Sequence, residues 1–385
     1  MRSRSLWPAV VLLLTATLHL GLFDPSSAAE RRKFVKPSTY QAAVLMEPET
    51  GQYLIEDEPH KLWPPASLTK IMTMLIVMEK LKEGTIKLTD PVQASAKASR
   101  MGGSQIYLKH REVFSVEDLM RAVVIASAND ATMALAEHIG GSEAGFIELM
   151  NIRAEELGMH DTRFYSVHGL PPDPGEREDV TTAHDMALLA RELVKYPDVL
   201  EWGSVRRATI RNGKFVLRNL NTLIKTFRGA DGLKTGHYAK AGFNMVATAK
   251  RRGTRFVAVV LGAPTDRERF GEAARLLALG FNLYRRVEAI KAGEPAGKKV
   301  TVYSSLASEV EPVAAHDVVL LLSRAEVKKL VKTVNVSEAV TAPVEKGQRM
   351  GEIIWIVDGA VKGSTPLVAA KRVEYASWFR RLLPY

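Results

Sequence analysis

A segment with no polar face constrains the fold of this chain more than any other feature. Residues 71–78 are apolar except for Thr73, and a helix that is apolar on every side has to lie inside the protein. Pro64 and Pro65 precede the segment, which suits a chain entering a helix, and Gly84 follows it as a stop signal. We therefore expect the protein to fold around one buried helix that opens just after the two prolines.

Ser67 and Lys70 stand at the N-terminal end of this helix, one turn apart and on one face. A free serine hydroxyl is a poor nucleophile and needs a base beside it. A lysine can be that base only if its pKa falls towards neutrality, which burial in an apolar wall achieves. The spacing therefore indicates a nucleophile and its base. An N-cap serine followed by a solvated lysine is the alternative explanation of the same pattern.

Two later segments carry further polar residues that such a reaction needs. Ser127-Ala128-Asn129 lies in an apolar segment that predicts one helix running through Ala136. Lys234-Thr235-Gly236 stands just before a strand-like run. The order Ser-x-x-Lys, then Ser-x-Asn, then Lys-Thr-Gly is typical of serine enzymes that form an acyl intermediate. Each pattern is short, but the three in this order predict acyl-transfer chemistry.

Composition limits the class of protein. With 385 residues, 46% of them hydrophobic, the chain is long enough for two domains with sizeable cores. Its formal net charge of +10 fits a membrane surface, a cell-wall polymer or nucleic acid. The lack of cysteine excludes a disulfide framework and thiolate chemistry. The nine histidines show no His-Glu-x-x-His pattern, so we predict no metal and no cofactor.

The N-terminal residues indicate export. Two arginines among the first four residues, an apolar run over residues 9–23 and the small residues Ser27-Ala28-Ala29 predict a signal peptide over residues 1–29. The alternative is an uncleaved anchor, for which the apolar run is short. An exported protein works in a periplasm or at the outer face of the cytoplasmic membrane. We therefore expect no nucleic-acid partner.

The pattern of strand-like and helical segments predicts two domains. Residues 30–286 begin and end with strand-like segments that enclose helices, which indicates one α/β domain with a mainly antiparallel sheet. Its last helix is expected over Glu268 to Arg286. Short β-rich segments then predict a small all-β domain over residues 287–370. Residues 371–385 place apolar side chains on one helical face among basic ones, as in a helix that associates with a membrane surface; a helix docked on its own domain is the alternative.

The three motifs resemble those of the low-molecular-mass penicillin-binding proteins that are serine D-alanyl-D-alanine carboxypeptidases. Further matching stretches are Val167-His168-Gly169-Leu170 and Asp231-Gly232-Leu233 before Lys234. The resemblance extends to the subfamily with a C-terminal β domain and an amphipathic membrane anchor. It implies a β-lactamase-like α/β catalytic domain, in which an antiparallel sheet has helices on both sides and a helical subdomain, followed by a small all-β domain. It also implies removal of the terminal D-alanine from peptidoglycan stem pentapeptides, and acylation by β-lactam antibiotics.

The resemblance implies a catalytic role for three residues. Ser67 would attack the carbonyl of the penultimate D-alanine, Lys70 would take its proton, and Ser127 would relay a proton to the leaving D-alanine. The backbone N–H groups of Ser67 and His237 would form the oxyanion hole.

It also implies substrate-binding roles. Asn129 would hold the substrate amide, Lys234 would keep the proton-relay region positively polarised, and Thr235 would bind the terminal carboxylate. Gly236 would let the substrate backbone approach the strand, because a side chain there would block it. Arg269 would help to bind the carboxylate, with Arg267 as a competing candidate.

Other functions fit parts of the same pattern. A β-lactamase has the same motifs but needs a glutamate-bound water, and the loop over residues 171–179 holds Glu176 and Glu178 without matching that glutamate motif. A D,D-endopeptidase would cleave a similar bond. A non-catalytic wall-binding scaffold would be expected to have lost at least one motif residue, and all of them are present.

Overall fold

The computed structural model of the protein describes residues 40–376. The predicted signal peptide lies outside the described residues, as do residues 377–385 of the predicted C-terminal helix. Between residues 40 and 376, no helix combines the length and the apolar character needed to cross a membrane.

An antiparallel sheet of five strands forms the centre of the N-terminal α/β region, in the order β2-β1-β9-β8-β7. Two short antiparallel pairs, β3-β4 and the hairpin β5-β6, lie outside it. The strands are β1 (Ala42–Glu47), β2 (Gln52–Asp57), β3 (Pro91–Gln93), β4 (Val113–Ser115), β5 (Arg207–Ile210), β6 (Phe215–Arg218), β7 (Ala230–Tyr238), β8 (Gly242–Arg251) and β9 (Thr254–Ala263).

Helices cover both faces of this sheet, which confirms the predicted α/β class. Two are short 3₁₀ helices, over Ala66–Thr69 and Ala98–Arg100. The α-helices are α1 (Lys70–Glu83), α2 (Val116–Ala126), α3 (Asn129–Gly140), α4 (Glu143–Glu156), α5 (Ala183–Leu193), α6 (Pro197–Ser204), α7 (Leu223–Thr226) and α8 (Asp266–Leu283).

Strand β1 shows how the sequence pattern builds two core layers. All six of its residues are buried. Ala42, Val44 and Met46 join the core that contains the apolar side chains of α1, whereas Ala43 and Leu45 join the core beneath α8. Because successive side chains of a strand point to opposite faces, a strand covered on both faces is largely apolar, and here only the terminal Glu47 is charged. Helix α1 is buried from Lys70 through Met78, as its sequence predicts.

Two predicted helices end earlier than expected. The apolar run through Ala136 is not one helix, because Ser127 takes a left-handed conformation (φ 61°) that ends α2, and α3 begins at Asn129. The last helix of the region, α8, ends at Leu283 rather than at Arg286, and the chain continues from Tyr284 as a strand. The apolar spacing is locally helical in both places, and at the end of α8 the pairing of the following strand with β14 decides where the helix stops.

The C-terminal region is β-rich, which confirms the predicted all-β domain. Its strands form small sheets in the orders β10-β14, β12-β11-β16 and β13-β18-β17-β15. The elements are β10 (Tyr284–Ile290), β11 (Val300–Tyr303), β12 (Glu309–Val310), β13 (Val313–Ala314), β14 (Val318–Ser323), α9 (Arg324–Lys329), β15 (Val331–Val336), β16 (Ala339–Thr341), β17 (Arg349–Val357) and β18 (Ala360–Val368).

Contacts of two kinds, apolar and ionic, connect this β-rich region to the N-terminal α/β region. Leu321 on β14 belongs to the apolar core beneath α8. Arg286 on β10 forms an ion pair with Glu49, with an Nε–Oε2 distance of 2.9 Å. Because β10 pairs with β14 from Tyr284 onwards, the predicted boundary between residues 286 and 287 falls inside a strand of the β-rich region.

The described part of the predicted C-terminal helix is not helical. Residues 371–376 are extended, and they form isolated bridges in which Val373 pairs with Val344 and Tyr375 pairs with Ser305. The amphipathic pattern therefore does not begin a helix at residue 371, because these residues satisfy their backbone groups against the β-rich region.

Candidate active site

Ser67 lies on a tight turn that directly precedes α1. The turn is the 3₁₀ helix Ala66–Thr69, so Ser67 is not itself part of the α-helix that its spacing predicted, whereas Lys70 is the first residue of α1. Ala66 has a left-handed backbone (φ 51°), a conformation that non-glycine residues adopt only where the surroundings require it. The turn places Ser67 Oγ 2.9 Å from Lys70 Nζ, which is hydrogen-bonding distance for a nucleophile and its base.

Lys70 is completely buried, with 0% of its surface exposed. Its ammonium also donates to the backbone carbonyl of His168 at 2.5 Å. Burial lowers the pKa of Lys70 from its ordinary value to about 7, and the carboxylate of Asp179 acts in the opposite direction. A lysine with this pKa is deprotonated in a substantial fraction of molecules at neutral pH, as a general base must be.

Asp179 was not among the residues that the sequence singled out. Its carboxylate is buried and accepts hydrogen bonds from Thr69 Oγ1 at 2.8 Å and from Ser166 Oγ at 2.9 Å. It also accepts from the backbone N–H groups of Tyr165 and Ser166. Asp179 thus joins the turn that carries Ser67 to the segment that carries the His168 carbonyl. An acidic residue at the end of a polar loop gives no sequence signal for this role.

Ser127 and Asn129 flank the break between α2 and α3. Both are buried, with 3% and 2% of their surfaces exposed. Asn129 Nδ2 donates to Gly102 O at 2.7 Å, while its Oδ1 is buried and has no hydrogen-bond partner among the described residues. A buried acceptor without a partner is rare in folded proteins and is consistent with a group that waits for a ligand donor.

A series of contacts joins Asn129 to Lys70. Gly103 lies between Asn129 and Leu170. A Cβ built on this glycine would be 2.7 Å from Asn129 Nδ2 and 3.2 Å from a methyl carbon of Leu170. The backbone N–H of Leu170 donates to His168 Nδ1, and the carbonyl of His168 receives the Lys70 bond. The second motif therefore lies at the site formed by the first.

The third motif lies within β7, the edge strand of the sheet, rather than before a strand. Lys234 and Thr235 are buried, and Lys234 Nζ donates to the Thr235 carbonyl at 2.8 Å. The pKa of Lys234 is lowered well below its ordinary value, first by burial and then by the positive charges of Lys70 and Arg269. The cations of the first and third motifs are thus close enough to interact.

The turn that carries Ser67, called the nucleophile turn (Ala66–Thr69), gives a reason for the glycine at position 236. A Cβ at this position would lie 2.7 Å from Pro65 O and 3.1 Å from Ser67 N. The space that a side chain would fill is therefore occupied by the turn, which gives a second reason for a glycine beside the expected approach of substrate. Gly236 lets β7 pack directly against the backbone of Ser67.

The next residue of the strand, His237, is exposed, and its ring stacks on Phe243 at 4.0 Å between centroids. Its side chain therefore faces away from the buried lysines, which leaves its backbone for the predicted oxyanion hole.

Arg269, not Arg267, is the arginine held against β7. Arg269 is buried, and its Nη1 donates to the carbonyl of Gly236 at 3.0 Å. Its Nη2 forms an ion pair with Asp266, and its Nε is buried without a partner among the described residues. Burial lowers the pKa of Arg269 from its ordinary value. Arg267 is exposed on the same helix.

Two further residues position the turn. Gly169, which belongs to the matching stretch 167–170, has a left-handed backbone, and a Cβ there would lie 2.0 Å from Ala66 O. Asn244 was not singled out by the sequence. Asn244 on β8 donates through Nδ2 to the carbonyls of Pro64 and Pro65, and accepts from Gly262 N. The nucleophile turn is thus held by backbone contacts on both sides.

Comparison with known proteins places these features in a family. A family model described as D-alanyl-D-alanine carboxypeptidase matches residues 32–265. A second model, described as the C-terminal domain of penicillin-binding protein 5, matches residues 284–375.

Characterised relatives match over nearly the whole length. D-alanyl-D-alanine carboxypeptidase DacF of Bacillus subtilis is 35% identical and the match covers 95% of both chains. DacC of Escherichia coli, which has the same enzyme name, is 37% identical, and the match covers 96% of this chain and 93% of the relative.

Solved structures agree. Penicillin-binding protein 5 from Haemophilus influenzae superimposes with a TM-score of 0.74 and 32% identity, and the match covers 89% of this chain and 100% of that one. Penicillin-binding protein D2 from Listeria monocytogenes, solved in its ampicillin-bound form, gives a TM-score of 0.59 and 33% identity over 64% of this chain and 100% of that one. With both domains matched in order and the relatives covered almost completely, the chain belongs to the serine D-alanyl-D-alanine carboxypeptidases of the penicillin-binding protein 5 type.

Proposed function

We propose that this carboxypeptidase removes the terminal D-alanine from peptidoglycan stem pentapeptides through an acyl-enzyme on Ser67. One observation carries the proposal. The hydroxyl of Ser67 lies 2.9 Å from the ammonium of a fully buried lysine whose pKa is lowered to about 7. This pairing supplies both the nucleophile and a base that is active at neutral pH.

The geometry supports a sequence of proton transfers. Neutral Lys70 takes the proton of Ser67 as the Ser67 oxygen bonds to the carbonyl carbon of the penultimate D-alanine. The bond to the nitrogen of the terminal D-alanine then breaks, and a proton delivered through Ser127 converts that nitrogen into the amine of free D-alanine. Water finally hydrolyses the ester, and Ser67 regains its proton. The backbone N–H groups of Ser67 and His237 would stabilise the oxyanion in both steps.

The remaining motif residues have binding roles in this proposal. Asn129 holds the substrate amide, and its unpartnered Oδ1 is an acceptor ready for an N–H donor. Thr235 and Arg269 bind the terminal carboxylate near Lys234. Arg269 is favoured over Arg267 because its guanidinium is buried against the carbonyl of Gly236.

β-Lactam antibiotics are proposed to acylate the same serine. The ampicillin-bound and cefotaxime-bound structures of the Listeria relative support this proposal by similarity. β-Lactamase activity is less well supported. Glu178 accepts from Tyr238 and Lys240, and Glu176 is exposed, so neither carboxylate is buried beside Ser67 as a base for a hydrolytic water would be. Endopeptidase cleavage of a similar bond is the second candidate, because β7 is an edge strand that could pair with either peptide.

The first test measures D-alanine released from a diacetylated tripeptide that ends in D-Ala-D-Ala, with and without benzylpenicillin. We expect release that penicillin blocks. Ser67→Ala is expected to abolish both release and labelling by a fluorescent penicillin while thermal unfolding stays cooperative. Labelling of the Ser67→Ala protein would show that another residue is the nucleophile. Labelling of the wild type without D-alanine release would shift the assignment to an endopeptidase or a penicillin-binding scaffold.

We also propose that the protein works outside the cytoplasm and associates with the membrane surface through residues 377–385. The composition of this segment supports the proposal, because it contains aromatic and apolar residues together with two arginines. Deletion of residues 377–385 leaves the bridge between Tyr375 and Ser305 intact, so the fold should be unchanged. We expect the shortened protein to move from the membrane fraction to the soluble fraction with the same D-alanine release. Its retention in the membrane fraction would contradict the proposal.

A further inference from the structure

The tip of the β5-β6 hairpin holds a distant loop through one side chain, Arg211. Nη1 of Arg211 donates to the carbonyl of Ile106 at 2.6 Å, and Nη2 donates to the carbonyl of Tyr107 at 3.0 Å. Nε and Nη2 also donate to the two carboxylate oxygens of Glu112, each at 3.0 Å. A guanidinium suits this task because its planar, rigid fork can serve several acceptors at once.

Aromatic rings fix the plane of this guanidinium. Its carbon lies 5.1 Å from the ring centroid of Phe114 and 5.5 Å from that of Phe215. The ring of Tyr107 meets Phe215 edge-on at 6.2 Å. Arg211 itself has a left-handed backbone (φ 54°), which costs free energy in a residue other than glycine. The hairpin therefore keeps an arginine at a position where local conformation alone would favour glycine or asparagine.

The opposite side of the loop is held by the residue next to Asn129. The carboxylate of Asp130 accepts from the backbone N–H groups of Ile106 and Leu108, at 3.0 to 3.1 Å. Asp130 is buried, with 1% of its surface exposed. Peptide groups of residues 106–108 are therefore fixed through their N–H groups by Asp130 and through their carbonyls by Arg211.

The beginning of the same loop sets the orientation of Asn129. The carbonyl of Gly102 accepts from Asn129 Nδ2 at 2.7 Å, and the carbonyl of Ser104 accepts from the backbone N–H of Asn129 at 2.7 Å. Between them, Gly103 approaches the Asn129 amide so closely that a Cβ would lie 2.7 Å away. A shift of the loop would therefore turn the amide that is proposed to hold the substrate.

We propose that Arg211, paired with Glu112, is a positioning residue for the acylation step: it holds residues 102–108 in the conformation that directs the Asn129 amide towards the substrate. The inference rests on the proposed function of Asn129. Arg211 does not touch the substrate in this proposal. It acts through the loop, so its removal should weaken substrate capture without changing the proton transfer between Ser67 and Lys70.

The experiment compares Arg211→Gln and Arg211→Lys with the wild-type full chain. We measure kcat and KM for the diacetylated tripeptide, the second-order rate of acylation by a fluorescent penicillin, and the pH profile of that rate. Arg211→Gln should lower the acylation rate by roughly 10- to 100-fold, because a misplacement of about 1 Å can have an effect of this size. The pH profile should keep its midpoint. Arg211→Lys retains the charge but not the fork, so we expect an intermediate loss.

Lys214→Gln is the matched control. Lys214 lies in the same hairpin turn, is exposed, and has no side-chain hydrogen bond or ion pair with the residues the structure describes. Its replacement should leave the kinetics of the protein unchanged. Thermal unfolding is measured for each variant in order to choose a temperature at which every variant is folded. The acylation and turnover rates are then compared at that temperature.

A double-mutant cycle with Asn129→Ala separates positioning from general stability. If Arg211 acts through Asn129, Arg211→Gln should cause little further loss of acylation rate in the Asn129→Ala background. An equal loss in both backgrounds would overturn the proposal, and so would an Arg211→Gln rate within twofold of the wild type. If Arg211→Gln does not fold, Arg211→Lys takes its place. An equal loss of its acylation rate in both backgrounds, or a rate within twofold of the wild type, would then overturn the proposal.

The experiment on Arg211 remains informative even if the proposed carboxypeptidase function is contradicted. A wild type that is acylated by penicillin but releases no D-alanine would contradict the carboxypeptidase assignment. The acylation rates of the variants would still test whether Arg211 positions Asn129.

Discussion

Lys70 is subject to two opposing influences, and the balance between them sets the pH at which Ser67 is activated. Burial removes water from the ammonium and lowers its pKa, while the buried carboxylate of Asp179 raises it. Asp179 is not in direct contact with Lys70. It is held by four donors from Thr69, Tyr165 and Ser166, which fix its distance from the amine.

We predict that acylation of Ser67 by penicillin becomes faster as pH rises, with a midpoint of about 7, because Lys70 must lose its proton to act as a base. Asp179→Asn removes the charge that raises the pKa of Lys70, so the midpoint should move to lower pH. Stopped-flow acylation between pH 5 and about 9 measures both profiles. Lys70→Arg should not be acylated at any of these values, since a guanidinium stays protonated.

Asp185→Asn provides the control for this prediction. Asp185 is as buried as Asp179 and also accepts from a threonine, but it does not contribute to the pKa of Lys70. It should lower thermal stability without moving the midpoint. An equal shift in both variants would mean that the profile reports loosening of the fold rather than the charge of Asp179.

At this scale the sequence predicts candidate reacting residues but not their supports. Ser67, Lys70, Ser127, Asn129 and Lys234 stand in short motifs with fixed spacing, so they can be proposed without a structure. Asp179 and Asn244 act through buried contacts with residues far away in the chain, and their neighbours in sequence carry no periodic pattern. The contact of Gly236 with the turn was not predicted, because a close approach between two backbones is visible only in three dimensions.

The site is built where a strand meets a turn. Strand β7 lies against the 3₁₀ helix Ala66–Thr69 so closely that Gly236 and the backbone of Ser67 are in contact. The carbonyl of the same glycine accepts from Arg269 on α8. One residue of β7 therefore fixes the spacing between the nucleophile turn, the sheet and a helix on the far side of that sheet.

We predict that Gly236→Ala destabilises the protein by about 1–3 kcal/mol, as other overpacking substitutions do, because the new methyl group meets backbone atoms that cannot rotate away. Acylation should slow by roughly 100-fold, since the turn that carries Ser67 is displaced. Thermal unfolding and penicillin acylation measure the two effects.

Gly271→Ala is the matched control. Gly271 lies within α8, and a Cβ there would meet nothing within 4 Å. Alanine favours a helix over glycine by about 1 kcal/mol, so this variant should be slightly more stable and equally active. An acylation rate for Gly236→Ala equal to that of Gly271→Ala would refute the close-packing argument.

Most elements could be predicted from the sequence, but their ends could not. The buried pattern of α1 and the hairpin of β8 and β9 are fixed by local spacing and turn residues. The break at Ser127 interrupts an apolar run that is helical on both sides, so no local signal marks it. The end of α8 is decided by pairing between β10 and β14, which brings together Tyr284 and Ser323, 39 positions apart in the chain.

The two regions of the molecule are joined by an apolar contact and by an ion pair. Leu321 inserts into the core beneath α8, and Arg286 pairs with Glu49. The sequence predicts both domains from a change in composition, and the boundary that it predicts after residue 286 lies within β10. It cannot reveal these contacts, because each joins residues that are far apart in the chain.

We predict that the chain lacking residues 284–385 still folds and is acylated at the wild-type rate, because the side-chain hydrogen bonds of Lys70, Asn129 and Lys234 are made to residues of the α/β region. Its thermal stability should fall by an amount equivalent to about 1.5–3 kcal/mol, the usual contribution of one buried leucine. The complete match of the Listeria structure to only 64% of this chain supports the expectation. A large loss of acylation rate would show that the β-rich region shapes the site.

The position of β7 at the edge of the sheet has a consequence for solubility. An unpaired edge strand is a template on which other proteins can add strands and aggregate, and proteins often protect such edges with an inward-pointing charge. In the proposed function this edge cannot be covered permanently, since the peptide substrate has to reach it. Lys234, in the middle of that strand, has a polar amine that an added apolar strand could not satisfy. A lysine at this position thus also discourages pairing of the strand with the apolar strands of misfolded neighbours.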